Sequence, residues 1–62
     1  MKEVKLIFPD TRSMADFIMK QGIDNAEVNS REQTVIAVLP DNKIVLAETM
    51  YGAILKSMIP KN

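Results

Sequence analysis

A Pro-Asp step followed by a helix-like stretch and a glycine occurs twice in this chain, as FPDTRSMADFIMKQG from Phe8 and as LPDNKIVLAETMYG from Leu39. Each copy begins where a strand-like run stops. Proline fixes its own φ and lacks an N–H, so it ends the strand. An acidic residue after it can accept the unpaired amides of a helix start, and a glycine supplies the left-handed residue that closes helices. The chain therefore reads as two strand-helix units in tandem. No catalytic or ligand-binding motif lies on either unit.

The runs between these markers carry the rest of the pattern. Glu3 to Phe8 alternates, with Val4, Leu6 and Phe8 on one side and Lys5 and Ile7 on the other, the period of a half-buried strand. Asp10, Thr11 or Ser13 can cap the helix that follows; Met14, Phe17, Ile18 and Gln21 share one of its faces, and Gly22 closes it, with Ile23 packing back on the last turn. Ala26 to Ser30 alternates again, and Arg31-Glu32-Gln33 leads into Thr34 to Leu39, so a hairpin is expected here. Because Thr34 to Leu39 is apolar on both faces, it belongs in the middle of a sheet.

After Leu39 three readings compete. In the preferred one Asp41 caps a helix ending at Tyr51, Gly52 is its C-cap, and Ala53 to Ile59 forms an edge strand. In the second the helix runs on to Met58, along the stripe Ile44, Ala47, Tyr51, Ile54, Leu55 and Met58, with Gly52 inside it at a cost of roughly 1 kcal/mol. In the third Val35–Leu39 pairs with Ile44–Ala47 through a Pro-Asp-Asn-Lys turn. All three give one two-layer α+β domain over residues 1–62. The preferred order, βαββαβ with both helices on one face of an antiparallel sheet, resembles the ferredoxin-like arrangement in topology alone; the alternative is βαββα. The resemblance covers the whole chain and brings no family-specific motif, so it implies no particular activity.

Composition narrows the functions. A chain of 62 residues has a marginal core, and small proteins usually gain support from disulfides, a metal or association. With no Cys and no His, and without an acidic loop suited to calcium, association is the expected support. Eight basic and eight acidic residues are interspersed and cancel, so no basic stripe is offered to nucleic acid. No apolar run reaches the length of about 20 residues that spans a bilayer, and the amino terminus lacks a signal-peptide pattern; a cytoplasmic protein is expected.

Candidate chemistry is sparse. Without His or Cys, general acid–base or nucleophilic catalysis has few agents, and Thr11, Ser13, Ser30 and Thr34 fall at helix starts, turns or strand ends; no enzymatic role is expected. Asp10 and Asp41 resemble an acid–base dyad only superficially, since capping accounts for both. Base stacking on the two central strands would need aromatics there, and Phe8 alone is present, on the core side. Of the five methionines, Met1 reads as the initiator and Met14 and Met50 are expected on or beside core faces, leaving Met19 and Met58 for a surface.

The second face of the sheet is the most informative feature. If Val4, Leu6, Phe8, Ala26, Val28, Val35, Ala37 and Leu39 face the helices, strict alternation sends Ile7, Ile36 and Val38 outward, and Ile54 and Met58 extend that patch. Its expected rim is Lys5, Glu27, Asn29, Thr34 and Lys56. An apolar patch with a charged rim marks a protein contact, although single β-branched residues on an open face also satisfy strand propensity alone. The expected function is a non-enzymatic interaction or self-association module, with Lys5, Ile7, Ile36 and Val38 contacting a protein partner or a second copy. The expectation includes no cofactor, metal, nucleic acid or membrane. A regulatory domain holding a small molecule near Asp10 to Ser13 is the alternative.

Overall fold

In the computed structural model, which describes residues 1–60, the strand-helix rhythm is realised as β1 (Lys2–Ile7), α1 (Thr11–Gln21), β2 (Glu27–Asn29), β3 (Thr34–Leu39), α2 (Asp41–Met50) and β4 (Ile54–Pro60). The strands form one antiparallel sheet in the order β2-β3-β1-β4. Each helix is thus a crossover that skips a strand, and the two units interlock as a ferredoxin-like βαββαβ fold. Ile44–Ala47 lies inside α2 and residues 54–60 are a strand, which removes both alternative readings.

The first Pro-Asp step behaves as its chemistry requires. Asp10 is extended, and its carboxylate accepts the Ser13 amide at 2.7 Å. At the other end of α1, Gly22 sits at φ 60° and its neighbour Ile23 donates to the Ile18 carbonyl at 3.1 Å, so the last turn is closed. The second step differs. Pro40 is the N-cap of α2, with φ −72° and ψ 161°, and its carbonyl accepts the amides of Lys43 and Ile44; Asp41 makes no side-chain capping bond. Asp41 is already the first helical residue, where it favours the positive end of the helix dipole and pairs with Lys2 at 3.0 Å. The expected cap at Asp41 is therefore shifted by one residue to Pro40. Likewise Tyr51 is the C-cap of α2, and Gly52, at φ 69°, is the left-handed residue after it that turns the chain into β4.

The helices bury one side of the sheet. Val4, Leu6 and Phe8 from the first strand and its exit, Val35, Ala37 and Leu39 from β3, Met14 and Phe17 from α1, and Ile44 and Ala47 from α2 make up the core with Ala53. Its centre is aromatic: the Phe17 ring lies 5.3 Å from Phe8 and 5.3 Å from Tyr51, the second pair edge to face. Met14 is buried as expected, whereas Met50 is exposed, because α2 turns Ile44 and Ala47 to the core and leaves Val45 and Met50 outside. Val28 takes the expected face, opposite Val35, but remains exposed because β2 is only three residues long and lies at the edge.

Candidate outer-face contact surface

The register fixes which side chains share the side of the sheet opposite the helices. Across β4, β1, β3 and β2 it aligns Ile54, Ile7, Thr34 and Asn29 in one row; Ser57, Lys5, Ile36 and Glu27 in the next; and Ile59, Glu3 and Val38 in a third. No helix covers these rows. Val38, Ile54 and Ile59 are exposed at 45%, 58% and 52%, while Ile7 and Ile36, on the two central strands, are half-buried by their neighbours.

All four expected contact residues, Lys5, Ile7, Ile36 and Val38, stand together on this face, but its outline differs from the expected one. Lys5 is not on a rim: it sits on β1 directly beside Ile36, and Glu3 beside Val38, so charge runs through the middle of the apolar patch. Thr34 is 5% exposed, enclosed between Ile7 and Asn29, and cannot serve as rim either. Glu27 and Asn29 do occupy the β2 border.

A bulge in β4 redraws the other border. Ile54 and Leu55 pair with Ile7 and Leu6, but Ser57 and Met58 pair with Lys5 and Val4, so Lys56 is an extra residue in the strand. Strict alternation from Ile54 would have put Met58 outward. The bulge places it on the helix side with Val4, and Ile59, opposite Glu3, takes the outward position instead. The sequence carries one hint of this: counting by twos from Leu55 lands Ser57, a polar residue, beneath the helices.

The alternative location, around Asp10 to Ser13, is an open groove of about 580 Å³ lined by Arg12, Ser13, Ala15, Asp16, Met19, Met50 and Tyr51. The amide most suited to an anion there, that of Ser13, is already taken by Asp10. That bond and the Ser13 hydroxyl, with lesser help from Arg12, hold the Asp10 carboxyl below its ordinary range, so it stays ionised. Asp10 and Asp41 do not form a dyad: one caps α1 and the other pairs with Lys2. Among the described residues no three His, Cys, Asp or Glu side chains are grouped to hold a metal ion. No described helix is long and apolar enough to cross a membrane.

No protein-family model, curated protein or solved structure matches the chain.

Proposed function

We propose that this is a cytoplasmic, non-enzymatic interaction module that binds a protein partner or a second copy of itself through the outer face of its sheet. The observation that carries the reading is the alignment of Ile7, Ile36 and Val38 with Ile54 and Ile59 on a side that no helix of the fold covers. Apolar side chains gathered on one uncovered face, with charged groups among them, are the composition of a protein contact surface. The chain also has a core too small to be generously stable and no cysteine to brace it, so burial of this face stabilises it further by about 25 cal/mol for each Å² of apolar surface covered.

The test is Ile36→Lys. Ile36 is half-buried beside Lys5, so the substitution places a second cation at the centre of the contact while leaving the opposite, helix-packed face untouched. Sedimentation should show loss of self-association, or a pull-down loss of the bound partner, with the far-UV spectrum unchanged. An unaltered mass together with unaltered capture would defeat the reading.

A further inference from the structure

The charges inside the patch specify an occupant and an orientation. On β1, Glu3 and Lys5 both point outward and lie two residues apart on either side of the buried Val4; their β3 neighbours are Val38 and Ile36. We infer that the outer face pairs with the same face of a second copy, the two β1 strands crossing antiparallel about a two-fold axis at the level of Val4. This rests on the reading of that face as a contact surface and adds the identity and the pose of the partner.

The argument is one of self-complementarity. A two-fold interface must match its own surface, residue i meeting j while j meets i. An axis running across the strands at Val4 lays Glu3 over Lys5 of the second copy and Lys5 over its Glu3, and in the same operation lays Ile36 over Val38 and Val38 over Ile36. An axis that follows β1 itself would bring Glu3 over Glu3 and Lys5 over Lys5, which like-charge repulsion disfavours. The charge pattern thus favours the axis across the strands over one that follows β1. Zero formal net charge on the whole chain leaves no long-range repulsion between copies to overcome.

Size sets the strength. Three strands of six or seven residues and a fourth of only three, about 4.8 Å apart and rising about 3.4 Å per residue, give a face of about 350 Å² in projection. Stable complexes bury about 800 Å² per partner, so this contact is at the weak end and the dimer should dissociate on dilution.

Charge reversal tests the pose. Glu3→Lys puts cation over cation at both symmetry-related points, and Lys5→Glu puts anion over anion; each single variant should run at the monomer mass where the wild type runs at twice that mass. The double variant E3K/K5E restores opposite charges across the axis and should return to the dimer mass. A purely structural effect of either residue would alter stability without this pattern in mass. As a check that needs no variant, a zero-length carboxyl–amine cross-linker applied to a mixture of isotopically light and heavy wild-type chains should join Glu3 of one chain to Lys5 of the other. Three outcomes overturn the inference: a wild type that is monomeric throughout a concentration series, a double variant that stays monomeric, or a mixed-isotope Glu3–Lys5 cross-link that is missing. If Ile36→Lys still abolishes capture of another protein in any of these cases, the contact face survives and only its occupant or pose is wrong.

Discussion

The two positions that open and close α1 show how much single residues contribute in so small a chain. Asp10 accepts the Ser13 amide, and its carboxyl is held below the ordinary carboxylate range by that bond. A group whose pKa is depressed on folding contributes stability above its unfolded pKa and loses it as the pH falls through the folded value. Asp10→Ala should therefore lower the melting temperature at neutral pH, and its unfolding curve should converge with that of the wild type in acid. A gap that persists unchanged at low pH would mean that the carboxylate is not the source. Gly22 makes a different contribution. A Cβ there would meet nothing within 4 Å, so Gly22→Ala tests backbone conformation alone. At φ 60° the expected cost is about 1–2 kcal/mol, read from denaturant midpoints at constant slope.

Among the elements, α1 depends on one ring. Phe17 is fully buried and touches both Phe8 and Tyr51, so Phe17→Ala should cost about 3–5 kcal/mol. That matches the whole net stability expected of a core this size, about 3–5 kcal/mol, and the variant should show no cooperative thermal transition. The β4 strand behaves in the opposite way. Because Lys56 is the extra residue of a bulge, deleting it leaves Leu55 opposite Leu6 and Met58 opposite Val4. The deletion should fold, and cross-strand NOEs at those two pairs should survive it. Removing a residue from β1 would instead send every later side chain of that strand to the wrong face.

The same strand marks the limit of what the sequence conveyed. Periods of two and of about four, with Pro and Gly between them, were enough to order the first four elements, to prefer a helix and an edge strand after Leu39 over two other readings, and to place Lys5, Ile7, Ile36 and Val38 on one face. They could not locate Lys56 as an insertion, because a bulge is decided by which register sets Leu55 against Leu6 and Met58 against Val4, a pairing with β1 and not a property of the strand itself. Asp41 failed for a related reason. Pro-Asp was read as the same signal twice, yet where a helix starts depends on which carbonyl closes the first turn, and at α2 that carbonyl belongs to Pro40.

At the scale of the whole molecule, the layers leave one side of a four-stranded sheet without internal cover, and the association proposed for that side makes stability depend on concentration. The melting temperature should climb as the protein is concentrated, and it should stop doing so in Ile36→Lys; a midpoint indifferent to concentration in the wild type would argue for a solitary molecule. The pairing of β1 with β4 has a further, mechanical consequence. Lys2 lies opposite Pro60, so a pull applied at these two residues enters the sheet from the same end of the ladder. Its hydrogen bonds run perpendicular to the strands and would be loaded in sequence, one pair and then the next, as a zip opens. Stretched in this way the protein should yield at low force, peeling off its outermost strand before the remaining three give way, whereas tension across β1 and β3 from opposite ends would meet all their bonds at once.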